Sequence, residues 1–139
     1  MKRFIIGLLA IMIINVCPVT FSNAICGSSV PEKPHLKRIK CQPAAEISIN
    51  DTLVIEFTQY PGRAYSWELV TSEKELEMLR LVKVRHNDLG QNMPDSQEKV
   101  EFYFDGIKEG EQKLVFKYFR PWERSKPAAD SCVIKVMVK

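Results

Sequence analysis

From residue 46 onward, apolar and polar residues alternate with a period of two, the spacing that places every second side chain on one face of a β-strand. In residues 52–59, for example, Leu53, Ile55 and Phe57 fall on the same face. Six further short segments share this character and are separated by turn signals: 46–50, 65–70, 79–86, 99–104, 113–119 and 132–139. The pattern predicts an all-β fold, an immunoglobulin-like Greek-key β-sandwich of about seven strands, in a domain over residues 46–139.

The first 24 residues have the organisation of a secretory signal peptide. A basic start, Lys2-Arg3, precedes an uncharged apolar run over 4–16, which is too short for a membrane-spanning helix of roughly 20 residues. Small residues then predict cleavage after Ala24. We therefore expect an exported protein, periplasmic or secreted, that is not inserted in a membrane once the signal has been removed.

The segment that follows the predicted cleavage site differs from the rest of the chain. Residues 25–45 carry three prolines and a cluster of bases, which predict an extended N-terminal arm. Lipidation is disfavoured, because neither Cys17 nor Cys26 follows a small residue.

Charge and motif content exclude several functions. Removal of residues 1–24 takes away two bases and no acid, so the formal charge falls from +3 to +1. That balance gives little support for binding to nucleic acid or to a membrane surface. His35 and His86 lack metal-ligand spacing, and the chain has neither a GxSxG elbow nor a glycine-rich phosphate loop. The sequence therefore predicts a monomeric binding protein without metal or cofactor, rather than an enzyme.

Three connections between the predicted strands are candidate recognition sites, because loops on a rigid scaffold often carry function. In a seven-strand Greek-key sandwich, the connections after strands two, four and six lie at one end. This places Arg63, Met93 and Trp122 on one edge, and Trp and Arg are enriched at binding hot spots. Two interpretations of Trp122 stay open: a binding anchor, or a ring folded back onto the sandwich with Arg120 stacked on it. Trp67 is expected in the core.

The stretch YFRPWE, residues 118–123, resembles the third loop of the chagasin family of inhibitors of papain-like cysteine peptidases. The resemblance covers residues 45–139. The family's first loop reads Asn-Pro-Thr-Thr-Gly-aromatic-x-Trp, and YPGRAYSW over 60–67 matches it at Pro61, Tyr65 and Trp67. The family's glycine-rich second loop is replaced here by NMPDSQ, residues 92–97. The positions that depart from the first-loop motif are Tyr60, Gly62, Arg63 and Ala64.

The resemblance implies a wedge of three loops that enters the peptidase cleft, with the first loop across the catalytic Cys and His. Pro61 and Tyr65 would then shape the blocking loop, and Arg120 and Trp122 would grip the peptidase surface. Arg63 has no family counterpart, and its charge could favour the catalytic thiolate or oppose the imidazolium. The implied peptidase-binding set is Tyr60, Pro61, Gly62, Arg63, Ala64, Tyr65, Met93, Arg120, Pro121 and Trp122.

A second function is also open. The chain could be an exported immunoglobulin-like module that keeps the scaffold but recognises a different protein or an envelope component. Loss of the two threonines of the first loop and of the glycines of the second favours this alternative.

The fold implied by the resemblance also suggests a disulfide. Its first and last strands both begin at the loop-bearing end, so Cys41 and Cys132 would be neighbours, leaving Cys26 as a free thiol. Such a bond would close a loop of about 90 residues and stabilise the fold by about 4 kcal/mol in the chain-entropy model. The alternative pairing is Cys26 with Cys41.

Overall fold

The computed structural model describes residues 33–89 and 96–139, which form two four-stranded sheets around a shared core. One sheet has the strand order β1-β3-β6-β5 and the other β2-β8-β7-β4. Among the described residues the only helical elements are 3-10 turns at Pro61–Arg63 and Glu73–Glu75. The strands are β1 (Leu36–Ile39), β2 (Ala44–Ile47), β3 (Thr52–Gln59), β4 (Ser66–Leu69), β5 (Leu79–Asp88), β6 (Glu98–Gly106), β7 (Gly110–Phe119) and β8 (Asp130–Val138).

The core contains the residues that the alternation assigns to the inner faces. Leu53 and Ile55 of β3 are fully buried, and Phe57 is 5% exposed. Phe116 of β7, also fully buried, faces them from the other sheet, with its ring centre 4.9 Å from that of Phe57. Because burial of one such side chain contributes about 1.5–3 kcal/mol, this period-two set dominates the stability of the sandwich.

The structure corrects the predicted start of the sandwich. Residues 36–39, interpreted from the sequence as part of the arm, form β1, which pairs in parallel with β3. The alternation misses this strand because its only buried residue is Ile39. It is held instead by Arg38, whose guanidinium donates to Glu56 at 2.9 Å and to Glu101 at 2.6 Å. The described residues therefore form eight strands rather than about seven.

Several predicted features lie outside the described residues: the signal peptide over 1–24, Cys17, Cys26 and Met93. Over 33–89 and 96–139, no helix has the length and apolar character needed to cross a membrane. The same residues contain no group of three or more His, Cys, Asp or Glu side chains that could hold a metal ion.

A disulfide joins Cys41, in the connection between β1 and β2, to Cys132 near the start of β8. The two Cα atoms are 5.9 Å apart, and the bond links positions 91 residues apart in the chain. This is the pairing expected from the family resemblance. It fastens the crossover between the two sheets to the strand that leaves the loop-bearing end.

Strand register brings three connections to one end of the sandwich. They are the first loop (60–65, between β3 and β4), the second loop (89–97, between β5 and β6) and the third loop (120–129, between β7 and β8). The end pairs are Gln59–Glu98 and Asp88–Glu98 in one sheet, and Ser66–Phe119 and Tyr118–Asp130 in the other. Because the first loop joins the two sheets at this end, the described ends of all three connections lie at the same end of the sandwich, as predicted.

Candidate functional site

The first loop is a tight 3-10 turn. The N–H of Arg63 donates to the carbonyl of Tyr60 at 2.9 Å, and that of Ala64 donates to the carbonyl of Pro61 at 2.8 Å. Pro61 begins the turn with a fixed φ. Ala64 ends it in the left-handed region, with φ 59°, which costs a residue with a Cβ about 1–2 kcal/mol. The positive φ therefore falls on Ala64 and not on the glycine of the loop, Gly62.

Tyr60 connects the first loop to the second. Its hydroxyl accepts a hydrogen bond from Nε2 of Gln97 at 3.1 Å, and the Gln97 carbonyl accepts from the N–H of Leu89 at 2.9 Å, which closes the base of the second loop. The guanidinium of Arg63 lies 4.9 Å from the centre of the Tyr60 ring, within cation–π range. Two of the departures from the family motif, Tyr60 and Arg63, are therefore in contact with each other.

The third loop presents Trp122 to solvent. Two successive turns build the loop: Glu123 N–H donates to the Arg120 carbonyl at 2.8 Å, and Lys126 N–H donates to the Glu123 carbonyl at 2.9 Å. The Trp122 side chain is 68% exposed and stacks on no other ring of the described residues. The interpretation in which this ring folds back beneath Arg120 is wrong, because the Arg120 guanidinium lies over Tyr65 instead.

A column of stacked side chains links the third loop, the first loop and the core. The guanidinium carbon of Arg120 is 4.8 Å from the centre of the Tyr65 ring, and the Tyr65 ring is 5.3 Å from that of Tyr118. Trp67 continues the column, 5.1 Å from Tyr118 and 4.3 Å from Phe57. Each such pair contributes about 0.5–1.5 kcal/mol beyond its burial, so the column holds Tyr65 and Arg120 at defined positions. Trp67 packs against the core, as predicted.

Gln59 is a further structural residue of the site, and it lies outside the set predicted from the sequence. It is 4% exposed; its Oε1 accepts from the Trp67 N–H at 3.1 Å, and its Nε2 donates to Glu98 Oε2 at 2.5 Å. Glu98 in turn lies 3.2 Å from Nδ1 of His86. One side chain thus ties the two ends of the first loop to each other and to the strand after the second loop. The alternation contains a signal for this role, because Gln59 is the next core-facing position after Phe57 and is therefore a polar residue at a buried position.

Ion pairs brace the third loop from within. Glu123 lies 2.8 Å from Lys126 Nζ and 3.8 Å from Arg120 Nη1. The hydrogen bond from Lys126 holds the pKa of Glu123 below its usual range, so this carboxylate stays ionised in mild acid. Arg124 donates to Glu68 of β4 at 2.9 Å, which fastens the far side of the loop to the sheet.

The structure therefore brings together most of the residues singled out from the sequence. Tyr65 and Arg120 are in contact, and Tyr60 contacts the second loop through Gln97. These three residues are partly buried. The exposed residues at the same end are Pro61, Gly62, Arg63, Pro121 and Trp122. The edge consists of a fixed base and an exposed tip.

Known proteins share both the sequence pattern and the fold. Residues 46–136 match the model of the chagasin family peptidase inhibitors, I42. The crystal structure of the cysteine protease inhibitor EhICP2 from Entamoeba histolytica is similar, with a TM-score of 0.65 and 19% identity over 76% of this chain and 96% of that one. The solution structure of Amebosin has a TM-score of 0.58 and 24% identity over 77% of this chain and 100% of that one. These similarities confirm the immunoglobulin-like sandwich. No curated protein sequence matches the chain.

Proposed function

The chain belongs to the chagasin family of peptidase inhibitors, and from that membership we propose that it inhibits papain-like cysteine peptidases reversibly. Its partner is then the peptidase itself, and the protein acts by occupying the cleft rather than by catalysis. No metal or cofactor is required for this action. The loops at one end of the sandwich supply the contact surface.

The observation that carries the proposal is the continuity of the three loops. The first loop contacts the second through Tyr60 and Gln97, and it contacts the third through Tyr65 and Arg120. Three segments that are distant in sequence thus form one edge. An edge of this kind is suited to a cleft, because it can block the centre with the first loop and hold both sides with the other two.

Rigidity favours the inhibitory role. The turn over Pro61–Arg63 and the stacked column below it are already ordered in the free protein, so association with a peptidase has a small ordering cost. Trp122 is exposed on a loop that ion pairs hold, and such Trp residues are often the anchors of an interface. In this proposal Trp122 grips the rim of the cleft while Pro61 and Tyr65 close its centre.

We further propose that residues 1–24 are removed during export and that the mature protein acts as a monomer in the periplasm or the medium. The apolar run and the small residues before the predicted cleavage site support this. N-terminal sequencing of the exported protein should begin at Ile25. A first residue within 1–10 would contradict the cleavage.

The direct test is titration of the purified mature protein against papain and a cathepsin L-type peptidase, with trypsin as a control of unrelated mechanism. We expect reversible inhibition of the two cysteine peptidases and none of trypsin. Absence of inhibition at micromolar concentration would reject the proposed function and leave the fold unchanged. Capture of another partner from the exported fraction would then support the alternative of a binding module with a different target.

A further inference from the structure

We propose that a groove beside the third loop is a second contact surface, on which an acidic segment of the bound peptidase docks. This inference rests on the proposed inhibitory function. The groove lies on the outer face of the β2-β8-β7-β4 sheet, between β4, β7 and the third loop, and has a volume of about 310 Å³. The residues that matter for the inference are Glu68, Val70, Lys117, Phe119, Arg124 and Lys126.

The groove combines a charged rim with a smaller apolar part. Val70, which exposes 47% of its surface, lies at one end of the groove, next to Val115. Phe119, paired with Ser66, lies at the other end, and the Arg124 guanidinium is 5.6 Å from the centre of its ring. Pro127 and Ala128 of the third loop complete the apolar part. A peptide segment docked here would bury apolar surface in addition to meeting the charged rim.

The rim has an excess of positive charge. Three cations line the groove against one carboxylate, Glu68, and that carboxylate is already bonded to Arg124 at 2.9 Å. Lys126 has a partner outside the groove, Glu123 at 2.8 Å. Lys117 is exposed and has no ion-pair partner among the described residues. Its ammonium group is therefore available to a carboxylate supplied by another molecule.

A second groove on the outer face of the same sheet shows that this excess is local. It lies farther from the loops and is lined by two lysines, Lys37 and Lys135, and by two acids, Glu46 and Glu111. Lys135 lies 3.4 Å from Glu111, Lys37 donates to the backbone carbonyl of Glu46 at 2.7 Å, and the Glu46 carboxylate pairs with Lys139, which lies outside the lining. The positive excess is thus a property of the groove next to the loops rather than of the whole sheet face.

Continuity with the proposed interface identifies the occupant. Arg124 and Lys126 belong to the third loop, which also carries Trp122, so a peptidase held by Trp122 would lie beside the groove. A second copy of this chain is a poor occupant, because the two cationic rims would face each other and repel. A peptidase surface that carries Asp or Glu at the rim of its cleft has the complementary charge.

The test compares two charge reversals on one strand. Lys117→Glu places an acid in the groove, whereas Lys113→Glu places one on the same strand and the same exposed face, four residues from Lys117 and outside the groove. Against a cathepsin L-type peptidase at low ionic strength, we expect Lys117→Glu to weaken inhibition on the order of tenfold, chiefly through the association rate. Lys113→Glu should stay within about twofold of wild type, since surface charges away from an interface contribute little.

A zero-length carbodiimide coupling of the wild-type complex provides a second readout. It should join Lys117 or Lys126 to a carboxylate of the peptidase, and the coupled peptides can be identified by mass spectrometry. Thermal unfolding verifies that each variant is folded. If Lys117→Glu disturbs the neighbouring Glu68, Lys117→Gln replaces it in the inhibition assay, because it removes the positive charge without adding a negative one. With Lys117→Gln we expect a smaller loss, in the same direction.

The outcomes separate this inference from the proposed function. If the wild type inhibits, but both reversals behave alike and neither lysine couples to the peptidase, the groove is not a contact surface while the inhibitory function stands. If the wild type inhibits neither peptidase, both proposals are rejected. A selective loss in the Lys117 variants, together with coupling at the groove, is the result that we expect.

Discussion

The two tryptophans of the chain lie at the same end of the sandwich but in opposite environments. Trp67 stacks on Phe57 at 4.3 Å, lies 5.1 Å from Tyr118, and donates from its indole nitrogen to the Thr58 carbonyl at 3.2 Å. Trp122 is 68% exposed and stacks on no other ring of the described residues. We call the first region the loop base (Gln59, Tyr65, Trp67 and Tyr118) and the second the loop tip (Arg63, Pro121 and Trp122).

The difference indicates that the loop base stabilises the fold and supports the proposal that the loop tip binds the partner. Side chains of the loop base satisfy one another within the chain, so their removal should lower the free energy of unfolding. Side chains of the loop tip are exposed, so their removal should lower affinity for a partner more than it lowers the free energy of unfolding. The two regions meet at Tyr65 and Arg120, which belong to the loops but stack into the base.

The largest effect is expected from Trp67→Ala. Removal of this ring leaves a cavity between Phe57 and Tyr118, and such truncations lower the free energy of unfolding by about 3–5 kcal/mol. Chemical denaturation measures the loss, and Trp67→Phe should recover much of it. An unchanged midpoint in Trp67→Ala would show that the loop base is not a structural unit.

Trp122→Ala should give the converse result. We expect affinity for a papain-like peptidase to fall by about 2 kcal/mol or more, roughly 30-fold, because the residue is a proposed interface anchor. The midpoint of unfolding should not move, since the ring is exposed. Ile107→Ala is a matched control, as Ile107 is 46% exposed in the turn after β6, at the opposite end. Equal affinity of the two variants would remove Trp122 from the interface.

Acid should weaken the sandwich at a position remote from the loop tip. Burial alone would raise the pKa of Glu101, but hydrogen bonds from Tyr103, Arg38 and Asn87 outweigh it and hold the pKa below its usual range. The unfolded chain therefore binds more protons, so the stability from this carboxylate is present above pH 4–5 and is lost as pH falls through the folded-state pKa. We therefore expect the free energy of unfolding to decrease between pH 6 and pH 3, as measured by chemical denaturation at a series of pH values.

Glu101→Gln is the variant that isolates this contribution. Its stability should fall less steeply over the same pH range, while its affinity for the peptidase at neutral pH should match that of the wild type. An identical slope in both proteins would assign the acid sensitivity to other carboxylates.

The smallest effect is expected from Ala64→Gly. Ala64 has φ 59°, where glycine has no Cβ strain, but glycine also gains freedom in the unfolded chain. The net result should be a gain of about 0.5–1 kcal/mol in the free energy of unfolding. Gly62→Ala, at a neighbouring position without a positive φ, should lack this gain from relieved strain. A loss of stability in Ala64→Gly would show that the first loop is not strained.

How far the sequence predicts this molecule depends on how local the controlling interactions are. The alternation in β3 and β7 places Phe57 and Phe116 in the core, because burial acts on each strand separately. The common end of the three loops was predicted from the order of the strands in a Greek-key sandwich. The exposed state of Trp122 was one of two open readings, since the contact that decides it joins Arg120 to Tyr65, which is distant in sequence.

The parts that could not be predicted depend on polar contacts across strands. β1 is held through Arg38 and the carboxylates of Glu56 and Glu101, 18 and 63 residues away, so it shows no alternation of its own. The left-handed backbone at Ala64 could not be predicted either, because residue type alone favours glycine at such a position and Gly62 is two residues away. Such features are set by the assembled sheets rather than by any single segment.

The central claim is that the loop-bearing end enters the peptidase cleft. The most direct measurement is the affinity of the mature protein for a cathepsin L-type peptidase with a free active site, compared with the same peptidase whose cleft is filled by a covalent peptidyl inhibitor on the catalytic Cys. We predict binding to the free enzyme and a loss of at least about 100-fold for the filled one, since the first loop needs the space that the peptide occupies. Equal affinity for the two forms would contradict the account, because the contact would then lie outside the cleft.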